Sequence, residues 1–79
     1  MSILAVKPEP FIQEVDFKGD CLLVSLMDGR EVRVPLEWFP KLKKASPSQR
    51  KNFRLIGHGA GIHWPEIDED ISVEGLLKL

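Results

Sequence analysis

Seventy-nine residues, 43% of them apolar, with a net charge of −1, make one small globular domain. A chain of this size buries only about 60% of the surface it exposes when unfolded, which argues against disorder, a second domain or a deep enclosed active site. Near-neutral charge gives no overall attraction to nucleic acid or anionic membrane, and the single cysteine, Cys21, excludes an intrachain disulfide.

The opening, Met1 to Val6, is apolar but lacks a basic stretch and meets Pro8 and Pro10. It does not read as a secretory signal, and no apolar run approaches the roughly 20 residues that span a bilayer. A cytoplasmic location without membrane partners is the expectation. No repeat, linker or low-complexity tract interrupts residues 1–79, so the whole chain is read as one domain.

Three strands follow from periodicity. Phe11 to Lys18 alternates, with Phe11, Val15 and Phe17 on one side and Glu14 and Asp16 on the other. Cys21 to Leu26 is apolar apart from Ser25, and Arg30 to Val34 alternates again through Val32 and Val34. A two-residue Gly19-Asp20 turn pairs Phe17 with Leu22 and Val15 with Val24. At the second turn, a two-residue Asp28-Gly29 loop would set Val32 against Ser25 and mix the faces. A three-residue loop, Met27-Asp28-Gly29, sets Val32 against Val24, Val34 against Leu22 and Glu31 against Ser25. Since a one-residue slip would turn every side chain to the wrong face, the three-residue loop with a left-handed Gly29 is predicted.

The apolar face of this meander needs a cover. Leu36 to Ala45 has helical spacing through Trp38, Leu42 and Ala45, with regular helix from about Phe39 because Pro40 fits only a first turn. Ser46-Pro47-Ser48-Gln49 reads as a capping box opening a second helix through about Ile56, with Phe53 and Ile56 inward and Gly57 as its stop. Gly61 to Trp64 is read as a short extended segment, and Ser72 as the cap of a last helical turn carrying Val73, Leu76 and Leu77. The predicted fold is α+β: a three-stranded antiparallel meander, two to three short helices covering one face, and a short extra extended segment.

From Asp28 onward the chain resembles a known family. Asp28-Gly29-Arg30, Val34-Pro35-Leu36-Glu37-Trp38-Phe39-Pro40 and Pro47-Ser48-Gln49-Arg50 are similar to a subgroup of the family catalogued as domain of unknown function 2442. So are Ile56-Gly57-His58-Gly59, Gly61-Ile62-His63-Trp64-Pro65, Asp68-Glu69-Asp70-Ile71-Ser72-Val73 and Gly75-Leu76-Leu77. The match spans about two-thirds of the chain. The resemblance implies a bacterial domain with no established reaction, and weakly implies mobile-element or toxin–antitoxin-like gene pairs. Some members resemble this domain fused to a helix-turn-helix module. With the chain stopping at Leu79, DNA binding by such fusions is not expected to carry over.

The densest constellation runs from Gly57 to Asp70. Gly57, Gly59 and Gly61 imply left-handed backbone or close approach. Phosphate-binding loops place their glycines between a strand and a helix start, whereas these follow a predicted helix and precede an extended segment. His58 and His63 with Glu66, Asp68, Glu69 and Asp70 offer imidazole and carboxylate ligands, but their spacing matches no zinc pattern. The bland alternative is a locally hydrogen-bonded His63, pointing away from Ile62 and Trp64, beside a solvated acidic run. Cys21, with no neighbouring histidine, reads as a small hydrophobe rather than a nucleophile.

Trp38, Phe39 and Trp64, each near a proline, either complete the core or stay exposed as anchors for a partner. Charge is also unevenly placed. Lys41, Lys43, Lys44, Arg50, Lys51 and Arg54 occur with no acid among them, while Glu66, Asp68, Glu69, Asp70 and Glu74 face only Lys78. Such runs are usually solvated faces, and otherwise patches for partners of opposite charge.

The leading expectation is a small non-enzymatic protein-interaction module with a protein partner, regulatory or antitoxin-like, with a homodimer left open. No cofactor or metal is assigned. The candidate site comprises Trp38, Phe39, Gly57, His58, Gly59, Gly61, His63, Trp64, Asp68 and Asp70. One alternative is a metal- or small-ligand-binding domain, catalytic or not, centred on His58 and His63. Another is weak DNA binding through the basic helices, against which the absence of interleaved exposed aromatics and of overall positive charge argues.

Overall fold

A computed structural model describes residues 11–78; the apolar opening Met1 to Val6, with Pro8 and Pro10, lies outside the described residues. The order of elements is β1 (Ile12–Lys18), β2 (Cys21–Leu26), β3 (Glu31–Pro35), a 3-10 turn (Leu36–Trp38), α1 (Pro40–Lys44), α2 (Pro47–Lys51), β4 (Arg54–Ile56), a second 3-10 turn (Gly57–Gly59), β5 (Gly61–Trp64), β6 (Glu69–Ser72) and α3 (Val73–Leu77). The fold is α+β, with two three-stranded antiparallel sheets, β1-β2-β3 and β4-β5-β6.

The first sheet has the predicted register. Phe17 lies opposite Leu22 and Val15 opposite Val24; Val32 lies opposite Val24, Val34 opposite Leu22 and Glu31 opposite Ser25. The backbone N–H of Leu26 donates to the Arg30 carbonyl at 2.8 Å, closing the three-residue loop with Gly29 left-handed at φ 96°. Both carboxylate oxygens of Asp28 stabilise this loop: Oδ1 accepts from the Arg30 backbone N–H at 3.0 Å and Oδ2 from Arg30 Nε at 2.8 Å.

The start of β1 departs from simple alternation. Register shifts between Ile12 and Glu14, so Gln13 forms a bulge and the inward position passes from the expected Phe11 to Ile12. Ile12 is buried and Phe11 only half-buried. A bulge inserts one unpaired residue and so reverses the facing of everything beyond it.

The second sheet changes two expectations. The second helix does not reach Ile56. It ends at Lys51, with Asn52 as its C-cap, and the chain returns as β4, where Ile56 is exposed and Phe53 half-buried. Phe53 and Ile56 three residues apart suit a helix face, but a short apolar pattern cannot separate helix from strand. Here pairing with β5 decides. The acidic run also contributes a strand, β6, because Ile71 fills the core while Asp70 stays exposed and Glu69 lies half-buried at the strand's start.

The core lies between the sheets. Leu22, Val24, Leu26 and Val34 from the first meet Ile62, Trp64 and Ile71 from the second, sealed by Leu36, Leu42, Val73 and Leu76. Each fully buried aliphatic side chain contributes about 1.5–3 kcal/mol. The predicted N-caps are present, whereas Gly57, expected to stop the second helix, instead follows β4. Ser46 and Gln49 exchange a capping box, with Gln49 N–H donating to Ser46 Oγ at 3.2 Å and Ser46 N–H to Gln49 Oε1 at 2.9 Å. Ser72 Oγ accepts from Gly75 N–H at 3.0 Å. Arg50 closes the other end of α1, donating from Nε to the Leu42 carbonyl and from Nη2 to that of Lys43, which satisfies carbonyls the short helix leaves open.

Candidate functional site

Trp38, Phe39 and Trp64 separate into three environments. Trp64 is fully buried; its indole N–H donates to the Arg50 carbonyl at 3.0 Å and its ring meets Phe17 and Phe53 with centroids 6.5 and 6.1 Å apart. Phe39 packs half-buried against the core. Trp38 is 54% exposed, the one exposed aromatic among the described residues. Its helical spacing with Leu42 fails because the chain makes a 3-10 turn and then breaks at Phe39, φ −130° and ψ 80°, before α1 begins.

The glycines shape a turn. Gly57, His58 and Gly59 are left-handed in succession, at φ 59°, 58° and 99°, and carry the chain from β4 back into β5. A side chain on Gly59 would come within 3.1 Å of the Ile12 backbone N and O, so this glycine lets the turn lie against the start of β1. Gly61 lies where a Cβ would sit 3.2 Å from the Ile71 carbonyl and from the Ile56 side chain. These contacts account for the glycine spacing through backbone geometry. Asp68 is also left-handed, φ 50°, in the turn between β5 and β6. Its carbonyl accepts from Lys41 Nζ at 2.9 Å, tying α1 to that turn.

His63 and Asp70 are brought together. They lie opposite one another on β5 and β6, with His63 Nδ1 2.5 Å from Asp70 Oδ1. As expected, His63 points away from the buried Ile62 and Trp64. Arg54 on β4 completes the row, since it lies opposite His63. His58 occupies the exposed turn, and among the described residues no three His, Cys, Asp or Glu side chains converge to hold a metal ion.

Register divides the second sheet into two faces. Inward lies the row Leu55, Ile62 and Ile71; outward lie Arg54, His63 and Asp70, and beside them Ile56, Gly61 and Ser72. Gly61 supplies no side chain in the middle of the outer face. A shallow groove of about 460 Å³ forms there between Ile56 on one side and Asp70 and Ser72 on the other, with Gly57 and Ala60 at its end. A second groove of about 450 Å³ shares Ala60 and Ser72 and continues past Phe11, Val73 and Leu77.

Residues Arg54, Leu55 and Ile56 were not among the sequence-predicted site, yet all three are exposed. Leu55 is 40% and Ile56 42% accessible, at the edge of the sheet. The signal is the apolar spacing of Phe53, Leu55 and Ile56 after Asn52, which reads equally well as the end of a helix.

Several basic residues have partners within the fold. Besides Lys41 and Arg50, Lys43 lies 3.6 Å from Glu37, and the Arg50 guanidinium also sits 5.7 Å from the Phe17 ring centroid. Among the described residues no helix is long and apolar enough to cross a membrane.

Two solved structures share this architecture. A protein of unknown function from Rhodospirillum rubrum is 27% identical with a TM-score of 0.75, covering 90% of this chain and 88% of that one. An uncharacterized protein from Chromobacterium violaceum is 21% identical with a TM-score of 0.72 and shows the fold alone. The match covers 86% of this chain and spans 64% of that one. No curated protein matches the sequence significantly. The profile of the family described as protein of unknown function (DUF2442) matches residues 12–79, and the chain belongs to that family.

Proposed function

We propose that this domain is a small protein-interaction module that acts by binding a partner chain in the cytoplasm. The observation that carries the reading is β4: an edge strand whose two aliphatic residues, Leu55 and Ile56, are 40% and 42% exposed on its two faces, with Ile56 beside the apolar groove over Gly61. Scattered exposed aliphatics are ordinary, but two in succession on a sheet edge, one of them at the mouth of a groove, suit a surface that another chain covers. Trp38, 54% exposed, supplies a further anchor of the type enriched in interfaces. A regulatory or antitoxin-like role agrees with a domain whose exposed features are recognition elements on a small scaffold.

Co-purification of the tagged chain from its native cells under mild conditions tests this. A stoichiometric partner is expected with the wild-type chain and should be lost with Ile56→Asp at unchanged melting temperature. Recovery of the bare monomer alone would overturn the reading.

A further inference from the structure

We propose that β4 receives an extended segment of the partner as a fourth, antiparallel strand. That segment would carry an acidic side chain opposite Arg54 and apolar side chains opposite Leu55 and Ile56. This inference rests on the interaction-module reading and names the partner chemistry for it.

β4 pairs with β5 on one side and, among the described residues, with nothing on the other. An edge strand presents unpaired N–H and C=O groups that another chain can complete, with backbone hydrogen bonds supplying attachment and alternate side chains supplying specificity. Every strand pair among the described residues is antiparallel, and the added strand continues that pattern.

The rows across the sheet then define the side chains. The inner row is apolar throughout, yet burial changes along it: Ile62 is 0% and Ile71 6% exposed, while Leu55 at its end is 40% exposed. An apolar residue opposite Leu55 would continue that row. On the outer face, Ile56 invites a second apolar contact at the mouth of the groove. Arg54 needs the opposite. Asp70 engages His63 at the far end of its row, and among the described residues no carboxylate pairs with Arg54.

Charge selects the partner class. No acidic residue occurs between Lys41 and Arg54, and Arg50 and Lys51 end the helix that leads through Asn52 and Phe53 into β4. This field favours an acidic, apolar segment over a basic one. A second copy fits less well. Antiparallel pairing of two β4 strands about Leu55 would set each Arg54 against Ile56 of the partner copy and bring two basic clusters together, with no acid for either arginine.

The test uses the full chain labelled with nitrogen-15 and a blocked peptide, Ser-Thr-Val-Val-Glu-Thr-Ser. In antiparallel register its two valines face Ile56 and Leu55 and its glutamate faces Arg54. Amide shifts and slowed hydrogen exchange should centre on residues 54–56. Lysine in place of the glutamate should weaken binding about tenfold, and Arg54→Glu, at an exposed position, should reverse that preference. Equal binding of the two peptides, shifts centred elsewhere, no shifts, or concentration-dependent dimerisation through β4 would each overturn strand addition. A native partner lost on Ile56→Asp while the peptide leaves β4 unperturbed would overturn strand addition and leave the module reading standing. Peptide binding at β4 without any stoichiometric native partner would support edge recognition and overturn the module reading.

Discussion

The indole N–H of Trp64 donates to the backbone carbonyl of Arg50 across 3.0 Å, joining the middle strand of the second sheet to the helix beside the first. The same arginine sends its guanidinium to the carbonyls of Leu42 and Lys43 and lies against Phe17. One residue thus receives a bond through its main chain and closes α1 through its side chain. Trp64→Phe should leave the Arg50 carbonyl unpaired in a half-buried place, costing about 1–3 kcal/mol, with a smaller term for lost volume. Trp64→Ala should cost about 3–5 kcal/mol. Urea denaturation measures both, and equal stability of Trp64→Phe and wild type would show that the carbonyl finds water instead.

Gly59 and Gly19 share positive φ but not surroundings. Gly19, φ 56°, has open space where a Cβ would go, while at Gly59, φ 99°, that atom would meet the Ile12 backbone at 3.1 Å. Left-handed positions accept asparagine with little strain, so Gly19→Asn should change stability by no more than about 0.5 kcal/mol. Gly59→Ala should cost about 1–3 kcal/mol from backbone strain alone, and more as the turn is pushed from β1. Thermal melts of the two variants check the contrast, which equal losses would contradict.

The first sheet was legible in sequence because its register was over-determined: Val24 opposite both Val15 and Val32 leaves no acceptable slip. The second sheet was less so. Arg54-Leu55-Ile56 becomes a strand only by lying beside β5, and Glu69-Asp70-Ile71-Ser72 has little strand character until Ile71 finds the core. Such tertiary choices override local propensity. The same limit applies to the site. Trp38 and Trp64 both stand near prolines, yet one is 54% exposed and the other fully buried, because only the packing partners distinguish them. His63 was legible as far as its direction, by alternation with Ile62 and Trp64. Its partner Asp70 depended on an unforeseen β6.

Asp28 links pH to stability through the second turn. The Arg30 side chain, and then the Arg30 backbone N–H, donate to its carboxylate and hold its pKa below the ordinary carboxylate value. A lowered folded-state pKa means that the charged form favours the fold. The contribution is therefore present above the unfolded value, about 3.9, and is lost as pH falls through the lower folded value. Asp28→Asn should be less stable than wild type near neutrality, with the two converging in acid. Urea midpoints measured over that range decide it, and curves that stay parallel would assign the acid response to other carboxylates.

His63 and Asp70 form the one close imidazole–carboxylate contact among the described residues, Nδ1 to Oδ1 at 2.5 Å. Their side chains differ in exposure, 22% for His63 and 65% for Asp70, so solvent screens the pair from one side. Directly opposed partners on neighbouring strands contribute roughly 0.2–1 kcal/mol, and exposed ion pairs fall in the same range. A double-mutant cycle with His63→Ala, Asp70→Ala and both should return a coupling of about that size, reduced by added salt. Because Arg54 lies opposite His63 on the other side, a third substitution, Arg54→Ala, separates charge from geometry. A pair bonded mainly through the imidazole should keep its coupling without Arg54, whereas coupling that disappears with Arg54 would make the row a three-membered unit.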